Sequence, residues 1–472
     1  MQASLGKLKQ YFLPVPRGLV LLTDCVLTVA GYYLAFVFRF SLPLPESNAE
    51  AFRILLPWIL LVTATVFAAL GLYGMPPFNA NNGMRSTVVA VFLSVLATMA
   101  GAYWFRGFAF PRTVFAIALA INSILIAAWR HIVAHLDTKA GGIQRLLVVS
   151  RNATQDLLLN LRLTGSNRVL VAGVVNPEEA LRMAEHSHTC SSPTGGYDGV
   201  LLVDVPEPDR RQIIETFAGR GKQVLVQPGP LDILMASART GRIDDHPLLL
   251  LAGLGLNPGQ AFVKRAFDVA VTTLALSVSL PVMALISAVI LLTSGPPILY
   301  RQQRVGLRGR VFEVWKFRTM HRNAEAETGP VLSLKGDPRV TPAGRVLRAL
   351  RLDETPQLFN VLRGDMSIVG PRPERPEFVE EFAASIPGYK YRLSVTPGLT
   401  GLAQVRGKYS TDPEDKLLYD LLYIANYSLA ADLSVIMQTI VTVLTPQSAE
   451  GIASPVAGQH GLDRPSPPPV DS

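Results

Sequence analysis

Long apolar runs are the feature that most restricts how this chain can fold. Four of them lie near the N-terminus, at residues 18–38, 54–73, 88–104 and 115–129. A bilayer-spanning helix needs about 20 predominantly apolar residues. The runs therefore predict about four transmembrane helices in an N-terminal membrane domain at residues 1–138. The composition agrees with a membrane protein, because 49% of the 472 residues are hydrophobic and only 17% are charged.

Basic residues flank this membrane domain on both sides. They are Lys7, Lys9 and Arg17 before the first run, and Arg130, His131, His135, Lys139 and Arg145 after the last. Under the positive-inside rule, an even number of spans with basic ends predicts that both ends face the cytoplasm. Asp24 lies inside the first run, where a carboxylate is costly. We interpret it as structural and bonded to a neighbouring helix, with a functional role as the alternative.

Residues 139–250 have the pattern of a small α/β domain. Strand-like runs at 145–150, 169–175, 199–203 and 223–226 alternate with helical segments such as 155–162. This alternation predicts a doubly wound, Rossmann-like soluble domain. The residues after the first strand, Arg151–Asp156, lack the glycines that a dinucleotide-binding turn needs. The domain is therefore predicted to be a degenerate nucleotide-binding-like domain that does not bind NAD.

A fifth apolar run, Phe267–Thr293, has a proline near its middle and basic residues on both flanks. Pro281 removes a backbone donor, so a kink or break is expected there, with Ser277 and Ser279 close enough to bond the freed carbonyls. A spanning helix would leave one basic flank on the wrong side of the membrane. We predict a re-entrant membrane helix at 266–294 that returns to the cytoplasmic face, with a kinked fifth span as the alternative.

The region after this run is rich in basic residues. The net charge of +8 favours acidic partners such as nucleic acid, an anionic leaflet or a phosphorylated ligand. Strand alternation across Val311–Arg318 would place Lys316 and Arg318 on one face, which suits a polyanion. No nucleic acid is expected as a partner, because the sequence shows neither a stacking aromatic platform nor a helix-turn-helix pattern.

Two adjacent carboxylates, Asp353 and Glu354, follow a set of arginines. Arg345, Arg348 and Arg351 are spaced three apart, which predicts that they share one side of a helix. Neighbouring helical residues diverge by about 100 degrees, so the two carboxylates are expected to have different roles. One could be a nucleophile toward a phosphoryl group and the other a ligand for Mg²⁺. A chance acidic pair at a solvated helix start is the alternative.

Downstream, the Pro371–Arg372–Pro373 segment has a restricted backbone. Its prolines would let Arg372 offer a pre-oriented set of donors to a phosphate or a nucleobase, although a purely structural turn explains the prolines equally well. A glycine-rich segment, residues 396–407, could approach a ligand closely.

Six motifs in this region resemble the successive motifs of the bacterial polyprenyl-phosphate phosphoglycosyl transferases, in their large form. They are Lys316–Met320, Leu352–Leu358, Gly364–Ser367, Val369–Pro373, Pro397–Gln404 and Tyr423–Ser428. The resemblance implies a membrane α-helical bundle, an α/β Rossmann-like domain, and a mainly α monotopic catalytic domain at 260–446 with a re-entrant helix. Residues 447–472 are predicted to be a disordered tail. One departure is that Leu280 precedes Pro281, where the family commonly has Ser-Pro.

The resemblance also implies a reaction and a location. Asp353 would attack the sugar-bearing phosphate of a UDP-sugar, release UMP, and pass the phosphosugar to undecaprenyl phosphate, while Glu354 would hold Mg²⁺. Arg348 and Arg372 would contact phosphate or the uridine end, with Lys316 and Arg318 in the basic lining. The protein would act in the bacterial inner membrane, against membrane lipid and facing the cytoplasm, as the first step of exopolysaccharide, capsule or O-antigen synthesis. A non-catalytic export scaffold, a transferase without a covalent intermediate, and a homodimer are left open.

Overall fold

The computed structural model describes residues 16–73, 80–104, 111–141, 144–151, 169–186, 197–236, 238–243, 246–250, 255–322, 337, 339–407 and 412–443. These residues belong to two compact units, Met1–Gly229 and Pro230–Ser472. The helix predicted at 155–162 and the tail predicted at 447–472 lie outside the described residues.

Four long helices open the N-terminal unit, and each contains one of the predicted apolar runs or most of it. They are α1 (Arg17–Phe40), α2 (Glu46–Ala69), α3 (Ala80–Trp104) and α4 (Arg112–Gly141). All four are long and apolar enough to cross a membrane. Asp24 of α1 is buried and accepts hydrogen bonds from Arg130 of α4 at 2.5 Å and from the Tyr73 hydroxyl at 3.0 Å. The carboxylate thus bonds a neighbouring helix, as the structural interpretation expects.

The rest of the N-terminal unit contains a four-stranded parallel sheet. Its strands are β1 (Gln144–Val149), β2 (Val169–Val175), β3 (Gly199–Leu202) and β4 (Gln223–Val226), in the order β2-β1-β3-β4. Helices α5 (Pro177–His186) and α6 (Glu207–Gly219) pack on it. Apolar side chains such as Leu147 and Val200 from the strands and Phe217 from α6 form the core. All four predicted strands are confirmed.

Helix α8 (Pro258–Ser294) dominates the C-terminal unit, after the short helix α7 (Pro230–Ala236) and the hairpin of β5 (Arg239–Ile243) and β6 (His246–Leu250). A capping box between Asn257 and Gln260 begins α8. The helix continues through Pro281, so the predicted break is not seen. Ser277 instead donates to the carbonyl of Leu274, and Ser279 donates to the sulfur of Met283. The re-entrant course stays a prediction.

The remaining elements form a mixed α/β fold, with more strand than a mainly α domain would have. The strands are the antiparallel pair β7 (Leu299–Val305) and β8 (Val311–Phe317), and the parallel pair β9 (Ser367–Val369) and β10 (Gly398–Thr400). The helices are α9 (Pro342–Ala349), α10 (Gln357–Arg363), α11 (Pro376–Ser385), α12 (Leu402–Arg406), α13 (Pro413–Ala425) and α14 (Leu429–Val443). One core cluster centres on Val361, Val369 and Leu421, and a second joins α8 to Phe317, Leu347 and Leu358.

Candidate active site

Asp353 and Glu354 lie on a single 3₁₀ turn, Leu352–Glu354, directly after α9. Arg351, the residue before this turn, has a left-handed backbone conformation, with φ at 56°. Arg351 is therefore outside α9, which ends at Ala349, so the prediction that Arg345, Arg348 and Arg351 share one side of a helix is wrong for Arg351. A 3₁₀ turn rotates about 120 degrees per residue, so the two carboxylates still diverge.

Two cations meet at one oxygen of Glu354. Its Oε1 accepts hydrogen bonds from Arg372 Nη2 at 2.7 Å and from Lys316 Nζ at 3.2 Å. Glu354 is largely buried, with a side chain that is 14% exposed. Burial alone would disfavour its charge, but Arg372 and Lys316 together hold the pKa of Glu354 well below its usual range. Glu354 is thus a permanent anion at neutral pH.

Asp353 has the opposite electrostatics. Burial and the adjacent charge of Glu354 raise the pKa of Asp353 above its ordinary value, and Lys316 and Arg348 only partly oppose them. Two neighbouring carboxyl groups therefore differ in basicity. A carboxylate whose charge is destabilised in the free protein is suited to attack a phosphoryl group, because the acyl phosphate that forms no longer carries the carboxylate charge.

Strand β8 delivers Lys316, and a buried amide holds the strand in place. Asn360 of α10 accepts from the backbone N–H of Trp315 at 3.1 Å and donates to the carbonyl of Glu313 at 2.7 Å. Asn360 has no exposed surface, so these bonds form out of contact with water. The Asn360 side chain therefore links α10 to β8. This link fixes the position from which Lys316 reaches the site.

The other predicted basic residues are distributed differently. Arg348 donates from Nε to the Thr319 hydroxyl at 2.9 Å and lies near enough to Asp353 to favour its charge. Arg318 directly follows β8, and its backbone N–H donates to the carbonyl of Ile298 at 2.9 Å. It donates to the carbonyls of Ser294 and Gly295 at the end of α8, which separates it from Lys316. Arg345 is exposed on α9.

The Pro371–Arg372–Pro373 turn follows β9 and lies against the glycine-rich segment. A Cβ on Gly398 would be 2.1 Å from the Gly370 nitrogen, and one on Gly370 would be 2.5 Å from the Thr396 carbonyl oxygen. These glycines let two backbone segments pack directly on each other. Their position supports the turn that carries Arg372. The close approach of this segment to a ligand stays a prediction.

Two charged residues that the sequence did not indicate contact this turn, and a third pairs with one of them. Arg304 and Arg392 donate to its carbonyls, and Asp420 pairs with Arg392. One signal was present for Asp420, which is an isolated acid inside the otherwise apolar run Leu417–Ala425, next to Tyr419. A buried acid on such a helix needs a cation partner. The identity of that partner depends on tertiary structure.

Asp353 and Glu354 are the carboxylates of this site that could contribute to holding a magnesium ion. Mg²⁺ is usually held by one or two protein carboxylates plus phosphate oxygens. Asp353 and Glu354 offer that donor set beside each other on one turn. Within the described residues, no cluster of three or more His, Cys, Asp or Glu side chains is gathered as a separate metal site.

Known proteins share this C-terminal region. A family model described as bacterial sugar transferase matches residues 259–446. A UDP-N-acetylgalactosamine-undecaprenyl-phosphate N-acetylgalactosaminephosphotransferase of Aeromonas hydrophila is 39% identical over 52% of this chain and 53% of its own length. The chain thus spans about half the length of that relative.

Two shorter relatives are matched over most of their length. A UDP-glucose:undecaprenyl-phosphate glucose-1-phosphate transferase of Caulobacter vibrioides is 41% identical over 44% of this chain and 84% of its own. An exopolysaccharide production protein of Rhizobium meliloti is 37% identical over 40% of this chain and 88% of its own. The chain belongs to the bacterial sugar transferase family, the polyprenyl-phosphate phosphoglycosyl transferases that its motifs resemble.

Proposed function

We propose that the protein transfers a sugar 1-phosphate from a UDP-sugar to undecaprenyl phosphate, as an initiating step of exopolysaccharide, capsule or O-antigen synthesis. The observation that carries the proposal is the placement of Asp353 beside Glu354, with Lys316, Arg348 and Arg372 around the pair. This arrangement combines one carboxylate that is available for attack with several cations for phosphate oxygens. The names of the relatives support the same substrate classes.

The proposed reaction has two displacements at one phosphorus atom. A carboxylate oxygen of Asp353 attacks the β-phosphorus of the UDP-sugar, and the bond from that phosphorus to the bridging oxygen breaks. UMP leaves with the bridging oxygen and its electron pair, which leaves an acyl phosphosugar on Asp353. A phosphate oxygen of undecaprenyl phosphate then attacks the same phosphorus. The Asp353 carboxylate is displaced, and the product is undecaprenyl diphosphate-sugar.

The surrounding residues have separate tasks in this proposal. Glu354 and the substrate phosphates would hold Mg²⁺, which when bound would neutralise charge on the phosphoryl oxygens. Arg372 offers a guanidinium fork that is already oriented by Glu354, and such a fork is suited to the phosphates or the base of the nucleotide. Lys316 keeps Glu354 charged and moderates the pKa of Asp353. Arg348 bonds the Thr319 hydroxyl beside Asp353. At this position its positive charge is suited to a phosphate of the donor or of the acceptor.

The contacts of α8 support a re-entrant course for this helix. Near its start, Lys264 forms a buried ion pair with Asp432 at 2.8 Å, and near its end Ile290 packs against the cluster of Phe317 and Leu347. One folded unit therefore holds both halves of the helix, whereas a spanning helix would carry its ends to opposite sides. The outward face exposes Leu274, Val278, Leu285 and Leu292. We expect that face to enter the lipid from the cytoplasmic side of the inner membrane.

Cysteine labelling tests this course. In a chain without its native cysteines, single cysteines at Gln260 and at Ser294 flank the apolar part of α8. An impermeant thiol reagent applied from the cytoplasmic side should label both. Labelling of only one from that side would establish a fifth span.

The activity itself is tested by adding UDP-sugars one at a time to the purified full-length chain with undecaprenyl phosphate and Mg²⁺. UMP release and a lipid-linked radiolabelled sugar are expected with at least one donor. Asp353→Asn should abolish both products. Asp412→Asn is a matched control, since it removes an exposed carboxylate at the start of α13, and it should keep them. Full transfer by Asp353→Asn would contradict the assigned nucleophile, and no product with any donor would contradict the function.

A further inference from the structure

The Pro371–Arg372–Pro373 turn accepts a hydrogen bond at each of its three carbonyl oxygens. The backbone N–H of Gly398 donates to the Pro371 carbonyl at 2.9 Å. Arg392 Nη2 donates to the Arg372 carbonyl at 3.0 Å, and Arg304 Nη1 donates to the Pro373 carbonyl at 3.1 Å. Proline fixes φ on both sides of Arg372. The backbone at Arg372 is therefore restrained in two ways, by the fixed φ angles of the neighbouring prolines and by hydrogen bonds to the carbonyl oxygens.

Arg392 is anchored by buried contacts of its own. It is 6% exposed and lies in the 3₁₀ segment Tyr389–Ser394. Its Nη1 donates to the Tyr389 hydroxyl at 2.5 Å, and its Nη2 lies 2.8 Å from Oδ2 of Asp420, which is 2% exposed. The nearby acid and hydroxyl keep the pKa of Arg392 above its ordinary value despite its burial. Arg392 is thus a fixed cation that bonds the backbone of Arg372, whereas Glu354 bonds its guanidinium.

Such a pair is a poor way to stabilise a core. Apolar residues of similar volume often do as well as a buried ion pair or better, because two charges must be removed from water. The bond from Arg392 to the Arg372 carbonyl offers a different benefit. It links the α13 core to the residue whose guanidinium bonds Glu354 at 2.7 Å.

We propose that Arg392, held by Asp420, is a positioning residue that sets the place of Arg372 against Glu354. This inference rests on the proposed function, because Arg372 matters only if its guanidinium acts on a substrate. A displacement on the order of 1 Å in such a group can lower a rate by about 100-fold. The Arg392→Met variant should therefore lose about 10- to 100-fold in kcat/KM. Arg392→Lys should retain more activity, since an ammonium can still donate to the carbonyl.

A double-mutant cycle separates positioning from a general structural effect. If Arg392 acts through Arg372, the Arg372→Ala, Arg392→Met double variant should be no slower than Arg372→Ala alone. Multiplying losses in the double variant would overturn the proposal. Asp432→Asn is the matched control, because Asp432 forms another buried ion pair in the same unit, with Lys264. When Asp432→Asn is combined with Arg372→Ala, the losses in kcat/KM of the two single variants should multiply.

A second readout does not require activity. Thermal midpoints of the full-length chain in nanodiscs give the coupling between Glu354→Gln and Arg372→Ala. That coupling should be present in the parent chain and absent when Arg392 is replaced by methionine. In a chain that carries Asp420→Asn, the coupling between Glu354→Gln and Arg372→Ala should also be smaller than in the parent chain. Persistent coupling in the Arg392→Met background would overturn the positioning role. Loss of coupling in a chain that transfers no sugar would support positioning and contradict only the proposed function.

Discussion

Replacing Lys316 by methionine tests how the charge of Lys316 acts on Glu354 and Asp353. Methionine keeps an unbranched side chain of similar reach, so the substitution mainly removes the charge. Lys316 Nζ lies 3.2 Å from Glu354 Oε1, and the two side chains are 20% and 14% exposed. Breaking a buried ion pair costs about 3–5 kcal/mol when one charge is left alone. Because Arg372 still bonds Glu354, we expect a smaller loss of stability, about 2 kcal/mol.

The same substitution should change the acidity of Asp353. Burial and Glu354 already raise the pKa of this carboxyl, and Lys316 is a cation that lowers it. Without Lys316 the pKa of Asp353 should rise further, so its nucleophilic, ionised form should require a higher pH. One pKa unit corresponds to about 1.36 kcal/mol. Two unit charges at 4 Å interact by about 4 kcal/mol at an effective dielectric constant of about 20. A shift of about one unit is a conservative expectation, since Lys316 points at Glu354 and water screens its effect on Asp353.

Single-turnover UMP release between about pH 5 and pH 9 measures this shift. The acid limb of the pH–rate profile should move to higher pH by about one unit in Lys316→Met. Lys316→Arg keeps the charge and should leave the limb close to that of the parent chain. A uniform fall in rate with an unmoved limb in Lys316→Met would refute the reasoning. In that case Lys316 would act on the substrate alone.

Two further predictions concern stability. The pKa of Asp353 is raised on folding, so the folded state binds the proton more tightly, and its stability falls as pH rises from the ordinary pKa to the raised one. Asp353→Asn removes this loss, so the thermal midpoint of the variant should exceed that of the parent chain at pH 8. The difference between the two midpoints should shrink toward pH 4. Equal midpoints at pH 8 would contradict a raised pKa of Asp353. Asn360→Leu removes both bonds to β8 while retaining similar volume, and it leaves two backbone groups without their partner. It should lower the free energy of unfolding by about 2–4 kcal/mol and slow transfer by displacing Lys316, whereas an unchanged stability would contradict the role given to Asn360.

Hydrophobic periodicity and motif order were enough to locate the main elements. The four N-terminal helices and the four parallel strands follow from patterns that are local in sequence. The strand predicted across Val311–Arg318 is present as β8, Val311–Phe317. The resemblance of the motifs to the family implied that Lys316 and Arg372 lie in the same site as Asp353 and Glu354.

Other features depend on contacts that no local pattern encodes. Alternation predicted one face for Lys316 and Arg318, but β8 ends at Phe317, and Arg318 turns to the end of α8. The spacing of three predicted a helical position for Arg351, but that residue adopts a left-handed conformation that ends α9. Arg392 and Asp420 come together from separate elements, and their pairing appears only in the folded chain.

The proposed acyl phosphosugar on Asp353 is the central claim, and one labelling measurement tests it most directly. The full-length chain is incubated with Mg²⁺ and a UDP-sugar that is radiolabelled in the sugar, in the absence of undecaprenyl phosphate, and is then quenched and digested. We expect one equivalent of UMP at most, and a label on the peptide that contains Asp353. In a parallel sample that is not quenched, adding undecaprenyl phosphate should transfer the label to lipid. A chain that makes labelled lipid at full rate but never carries the label itself would contradict the covalent mechanism.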